Sequence, residues 1–140
     1  MFLVRCRKPL NLEVEAVNEF YASVGYPHKI TRGDSLVIAM EAAKVVGAVR
    51  LCNEHGVQVL RGMQVHPTFR GQGLGKRMLQ MLEAYFGGRC FCIPYENLSS
   101  FYARVGFQTA EPSDVPEFLL DRYFEYLEQN PDKKFVIMVR

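Results

Sequence analysis

Several features are missing from this sequence, and each absence narrows what the chain can be. No apolar run approaches a membrane span, and residues 1–7 mix Phe, Leu and Val with Arg5 and Arg7, so neither a spanning helix nor an export signal is expected. Blocks of like charge are also missing. Seventeen Lys and Arg stand against fifteen Asp and Glu, a net charge of +2, which gives no electrostatic reason to favour nucleic acid or an anionic membrane as a partner. The four cysteines (Cys6, Cys52, Cys90, Cys92) form no C-x-x-C pair, and the three histidines (His28, His55, His66) supply no matching spacing. Cys90-Phe91-Cys92 would set two thiols on one strand face, where they could ligate a metal or meet an oxidant. The reading adopted is buried thiols, no metal site and a reducing, cytoplasmic setting. There is no internal repeat, low-complexity segment or linker. With 140 residues, 49% of them hydrophobic, one domain over 1–140 with a sizeable core is expected.

What is present alternates in period. Residues 2–7 read as a strand; Asn11 then offers an N-cap to a helix with Val14, Val17, Tyr21 and Val24 on one stripe, stopped by Gly25. Beyond a polar stretch, 36–40, 44–52 and 57–65 read as three antiparallel strands joined by turns at 41–43 and 53–56, and Pro67 ends the third. Leu74, Met78, Met81, Leu82 and Tyr85 recur at helical spacing up to Gly87-Gly88. A short buried strand at 90–93, a helix at 97–105 with Phe101 and Val105 one turn apart, and a strand from Phe107 follow. Asp114 with Glu117 resembles a capping box for a helix ending at Asn130-Pro131, and 135–139 supplies a last strand. This order predicts an α/β fold: a mixed sheet of six to seven strands with about four helices packed on it.

The segment Val65-His66-Pro67-Thr68-Phe69-Arg70-Gly71-Gln72-Gly73-Leu74-Gly75-Lys76 joins a strand to an amphipathic helix. Its glycines fall where the chain must turn tightly into the helix N-terminus, where unpaired N–H groups and the positive dipole end suit a phosphate. Arg70, Lys76 and Arg77 add positive charge nearby. A dinucleotide fingerprint fails in both registers, because Lys76 and Met78 stand where its third glycine belongs. A P-loop fails as well, with Arg70 at its first glycine and Arg77 after the lysine. The competing reading, glycines that merely cap and pack a helix, fits three glycines in five residues beside a basic flank less well.

This loop resembles that of the GNAT superfamily of acetyl-CoA-dependent N-acetyltransferases, Q/R-x-x-G-x-G/A, met by Arg70, Gly73 and Gly75. The preceding Leu60-Arg61-Gly62-Met63-Gln64-Val65-His66-Pro67 is similar to the family's cofactor strand, and Glu96-Asn97-Leu98-Ser99-Ser100-Phe101-Tyr102-Ala103-Arg104-Val105-Gly106-Phe107 to its second signature, an Asn followed by F-Y-x-x-x-G-F. The resemblance covers roughly residues 36–110. It implies that backbone groups of Met63, Gln64 and Val65 pair with the pantetheine arm and polarise the thioester carbonyl. It further implies that the N–H groups of Gly71, Gln72, Gly73, Leu74, Gly75 and Lys76, beside Arg70, hold the pyrophosphate, that Asn97 contacts CoA, and that Tyr102 protonates the departing thiolate. Gly62 is the expected place for the bulge at which the family's cofactor strand splays. The other reading of Tyr102 is a core aromatic one turn from Leu98.

The proton acceptor for the amine is unassigned. The inward positions of the cofactor strand are Val59 and Arg61, neither a base, which leaves Glu41, Glu54, Glu96, His28 and His66; Glu41 and Glu54 lie near turns and are expected to be solvated, and His66 to cap the strand. Arg61 has two readings. It binds a carboxylate or phosphate of the acceptor through its planar fork, or it faces solvent or pairs with an acid such as Glu41. Residues 25–35, with Tyr26, His28, Lys29 and Arg32, form the acceptor side by the resemblance. The helix at 115–129, with Phe118, Leu119, Tyr123, Tyr126 and Leu127, carries a wide apolar surface for the core, the cleft or a homodimer. The functional expectation is acetyl transfer from acetyl-CoA to a primary amine of a small molecule or peptide. The alternative is a non-catalytic acyl-CoA-binding module that regulates a protein partner.

Overall fold

The computed structural model describes residues 4–31 and 33–140; the first two residues of the predicted opening strand, and Arg32, lie outside them. The described residues form seven strands and four α-helices, distributed over two compact units, Met1–Gly88 and Arg89–Arg140.

In the first unit the strands β1 (Val4–Arg7), β2 (Ser35–Glu41), β3 (Lys44–Glu54) and β4 (Val57–Val65) pair antiparallel in chain order. Residues 36–40 and 45–52 are buried without interruption, because both faces of the strands are covered. Ile38, Met40 and Ala48 pack with Val17, Phe20 and Tyr21 of α1 (Val14–Ser23). The opposite face meets α2 (Leu74–Phe86), where Gly47 makes room for Met78 beside Ala39. Burial of each such aliphatic side chain stabilises by about 1.5–3 kcal/mol, so the alternation of β2 and β3 holds both helices. The β3–β4 hairpin closes through His55 and Gly56 at φ 54° and 78°, the two left-handed residues of a two-residue primed turn.

The helix starts differ from prediction. Asn11 makes no cap; it lies inside a 3-10 turn, Asn11–Glu13, where the Glu13 carboxylate accepts from the Leu10 N–H at 2.8 Å and from Arg7 at 2.6 and 2.7 Å. A charged acceptor reached by two donors outcompetes the neutral Asn amide. On α2 the buried residues are Leu74, Met78, Leu79 and Leu82, whereas Tyr85 is 49% exposed, so the apolar stripe sits a few tens of degrees from its predicted phase.

In the second unit β5 (Phe91–Cys92), β7 (Met138–Val139) and β6 (Gln108–Thr109) pair antiparallel in that order. Cys90 and Arg140 exchange backbone hydrogen bonds at 3.0 and 2.9 Å, and a bridge at Tyr95 and Phe135 extends the ladder. Helix α3 (Ser99–Ala103) is followed by a turn at Gly106, whose φ of 94° lets the Phe107 N–H return to the Tyr102 carbonyl. Helix α4 (Glu117–Gln129) begins at Pro116, which has no side-chain cap; Asp114 closes a separate 3-10 turn, Pro112–Asp114. The ring at Pro116 fixes the entry into α4, and its carbonyl takes the N–H groups of Leu119 and Leu120. Only Leu119 of α4 is fully buried, and Phe124 is 58% exposed.

Candidate active site

After β4 the chain makes a 3-10 turn, Pro67–Phe69, started by His66, whose Nδ1 accepts from the Thr68 N–H at 3.2 Å, so this histidine caps the turn that follows the strand and not the strand itself. Gly71 and Gly73 take φ of 77° and 78°, where any side chain would cost about 1–2 kcal/mol, and a Cβ on either would meet nothing within 4 Å. The loop is therefore open as well as left-handed. Gly73 is the N-cap of α2, and the helix's first backbone bond runs from Arg77 N–H to the Gly73 carbonyl at 3.1 Å. The N–H groups of Leu74, Gly75 and Lys76 thus stand ahead of the helical ladder, with no acidic residue in the first turn to oppose an anion. Of the three predicted flanking cations, two are turned elsewhere. Arg70 Nε donates to the Val65 carbonyl at 3.0 Å, bracing the loop against β4, and Arg77 donates to the Val4 carbonyl at 3.1 Å. Lys76 is exposed.

The bulge lies where the glycine predicted it. Ala48 pairs with Gln64 and Arg50 with Arg61, so Gly62 and Met63 together oppose Val49, and Gly62 sits at φ 64°. Tyr21 of α1 holds this distortion: its hydroxyl donates to the Gly62 carbonyl at 2.8 Å. A Cβ on Gly62 would stand 2.9 Å from that oxygen and 3.2 Å from the Tyr26 ring. Tyr21 is fully buried, and burial raises its phenol far above the ordinary range, so it remains a donor. Sequence reading places Tyr21 on an apolar stripe and misses this contact across 41 residues. The residues that follow the bulge, Met63, Gln64 and Val65, are half-buried on a strand segment set out of step with β3.

A cavity of about 570 Å³ opens before the bulge, lined by residues of the 27–34 stretch, the second half of β3 and Arg61 of β4. Its wall is built on Arg50, 2% exposed, whose Nη1 donates to Asp34 at 3.1 Å and to the Lys29 carbonyl at 3.0 Å and whose Nη2 donates to the Tyr26 hydroxyl at 2.7 Å. A buried guanidinium requires such partners, and here they tie the connecting segment to β3. Nothing in Val-Arg-Leu-Cys within a strand signals that role in the sequence. Arg61 faces the cavity with Glu54 at 3.9 Å; Glu54, not Glu41, is its acidic neighbour, and at 21% side-chain exposure Glu54 is less solvated than its turn position predicts. His28 lines the same cavity, and desolvation together with Arg61 and Arg50 lowers its pKa, keeping the imidazole neutral at pH 7. Cys52, another lining residue, is a thiol pushed by burial to about 11.

In the second unit Asn97 occupies the 3-10 turn Glu96–Leu98 and is exposed. Tyr102 is 5% exposed, edge-on to Phe101 at 5.0 Å and to Phe107 at 5.7 Å; its predicted neighbour Leu98 is 41% exposed. Burial, with Cys92 adding to it, raises the Tyr102 phenol above its ordinary range. Among the described residues no group of three or more His, Cys, Asp or Glu side chains converges as a metal site, and no helix is long and apolar enough to cross a membrane.

A glycine loop on a helix N-terminus after a bulged strand is the arrangement that the GNAT resemblance implies, and the family model named acetyltransferase (GNAT) domain matches residues 32–109, more than half of the chain. The chain belongs to the GNAT acetyltransferase family. Solved structures agree on the fold. N-acetylglutamate synthase from Neisseria gonorrhoeae, complexed with coenzyme A and N-acetyl-glutamate, is similar over 100% of this chain at 18% identity and TM-score 0.68, although this chain spans only 35% of that one. An acyl-CoA N-acyltransferase from Pseudomonas aeruginosa is similar at 16% identity over 100% of this chain and 99% of that one, TM-score 0.65. The Escherichia coli ribosomal-protein-S18-alanine N-acetyltransferase is similar at 12% identity over 98% and 92%, TM-score 0.64. No curated protein is significantly similar to this GNAT chain in sequence.

Proposed function

We propose that this GNAT protein transfers an acetyl group from acetyl-CoA to a primary amine of a small molecule or peptide by direct attack of the amine on the thioester. The observation that carries the reading is the loop from Arg70 to Lys76: left-handed glycines with open space around them, at the N-terminus of α2, directly after a bulged strand. Such a loop suits a pyrophosphate on N–H groups. A complex of a similar protein with coenzyme A supports the choice of ligand.

Bound acetyl-CoA supplies an activated acyl thioester. The chain's own groups then have three tasks. The N–H groups of Gly71 to Lys76 hold the pyrophosphate, with Asn97 as a further contact. Backbone groups of Met63, Gln64 and Val65 orient the pantetheine and donate to the carbonyl oxygen as charge grows on it, the bulge setting their direction. Tyr102 acts as the proton donor to the leaving sulfur. Its raised pKa keeps it protonated and ready to donate to the sulfur as charge develops there. For the amine proton, His28 is the acceptor favoured among the sequence candidates, since it is neutral at pH 7 and lines the cavity ahead of the bulge. With this assignment kcat/KM falls as pH drops through the lowered His28 pKa, below about 6.5, and His28→Gln removes that limb. A cavity with an ionisable wall beside the bulge favours an enzyme over a non-catalytic acyl-CoA-binding regulator.

Thiol release from acetyl-CoA by the purified chain, measured against a panel of amines alongside calorimetric CoA binding, tests the reading. Amine-dependent release supports it. CoA binding with no release from any amine refutes the transferase and leaves the regulator.

A further inference from the structure

The cavity ahead of the bulge has a charge balance that narrows the acceptor, and the argument rests on the transferase reading above. Arg50 and Asp34 lie 3.1 Å apart and neutralise each other inside the wall. Asp34 is further held by the Thr31 N–H at 2.9 Å and the Thr31 hydroxyl at 3.0 Å, and Arg50 by Tyr26 and the Lys29 carbonyl. Both side chains are buried, so neither presents its charge at the cavity surface. Of the other ionisable lining groups among the described residues, Lys29 and Arg61 are cationic and Glu54 is anionic, which leaves one positive charge in excess; the lowered pKa of His28 keeps it from adding another at pH 7.

The Arg61–Glu54 contact settles which group meets the ligand. At 3.9 Å it is longer than a hydrogen bond, so the Arg61 fork, 24% exposed, keeps its donor geometry for a planar or tetrahedral oxyanion. Arg61 also immediately precedes Gly62 in the chain, so an anion anchored there leaves its amine within a few bonds of the bulged segment. The volume of about 570 Å³ accommodates a small metabolite. A polyamine or aminoglycoside would bring more positive charge to Lys29 and Arg61.

We infer that the acceptor is a small primary amine carrying a carboxylate or phosphate at its far end, with the oxyanion bound by Arg61 and supported by Lys29. Matched acceptors test this with the full chain and saturating acetyl-CoA: γ-aminobutyrate against its amide, phosphoethanolamine against ethanolamine, and spermidine. The anionic member of each pair is expected to show kcat/KM about 10- to 100-fold above its neutral partner, the range that a hydrogen-bonded charge contact supports. Arg61→Gln should bring that ratio close to one, and Glu54→Gln should raise it. Whichever pair shows the larger ratio separates carboxylate from phosphate. A wild-type ratio near one, a preference for spermidine, or a ratio that survives Arg61→Gln overturns the inference. Calorimetric binding of the anionic amines to the CoA-loaded protein, wild type and Arg61→Gln, covers the case of no turnover. Binding weakened at least tenfold by the substitution then sustains the anion site while the transferase reading falls, and no binding of either anion overturns both. Melting temperature and CoA affinity of each variant establish that it is folded.

Discussion

Replacement of Gly62 by Ala probes the feature on which the geometry of β4 depends. Two costs add. At φ 64° an alanine is strained by about 1–2 kcal/mol, as at any left-handed position. Its Cβ would also stand 2.9 Å from the Tyr21 oxygen, 3.2 Å from Tyr21 Cζ and 3.2 Å from Tyr26 Cζ. Neither ring gives way easily: Tyr21 is fully buried, and the Tyr26 hydroxyl is held by Arg50 at 2.7 Å. Overpacking against such neighbours costs about 1–3 kcal/mol, so the total is about 2–5 kcal/mol. The internal control is Gly56→Ala in the β3–β4 turn, at φ 78° with nothing within 4 Å, which carries the strain alone. Urea unfolding of both variants separates the terms, and Gly62→Ala should lie about 1–3 kcal/mol below Gly56→Ala. In a Tyr21→Phe background the two substitutions should be less than additive, since both act on the same hydroxyl. Equal destabilisation by Gly62→Ala and Gly56→Ala would refute the claim that Tyr21 and Tyr26 clamp the bulge.

Three further outcomes follow from the geometry. Tyr102→Phe should lower kcat by about 10²-fold or more, within the span typical of a lost proton donor, with CoA affinity held within about twofold; unchanged turnover would make Tyr102 a core aromatic only. Gly73→Val should abolish CoA binding, because a β-branched residue is strongly disfavoured at φ 78° and would intrude on the open loop; retained binding would move the phosphate site elsewhere. The hydrogen bonds from Arg7 and the Leu10 N–H hold Glu13 at about 2, below its ordinary carboxylate range, so its contribution to stability is complete above the unfolded pKa of about 4.3 and is lost as pH falls from there through about 2. The stability difference between wild type and Glu13→Gln, followed by urea unfolding from pH 7 to 2, should shrink over that window and not before it.

Some of this protein is written in short stretches of chain. The glycines at 62, 71 and 73 are legible because a left-handed residue is a local requirement that glycine meets at least cost, and the short apolar, β-branched runs between turns through 36–65 set the strands. These signals were enough for the α/β order of elements, the bulge and the glycine loop that opens α2. Helix starts were less legible: Asn11 and Asp114 are good caps by type, but Glu13 with Arg7 and the ring of Pro116 outcompeted them through contacts that residue preferences do not weigh. Around the cavity the sequence offered residues 25–35 and Arg61 as candidates, but not the contacts that shape it. Tyr21 reaches Gly62 across 41 residues, Arg50 reaches Tyr26 across 24 and Asp34 across 16, and each of the three reads locally as an ordinary stripe, strand or loop residue. Hydrogen bonds of that separation exist only after the sheet has brought the segments together. The sequence alone therefore determined the left-handed glycine loop at the start of α2 and the bulge before it, and tertiary structure decided the shape and charge of the cavity ahead of that bulge.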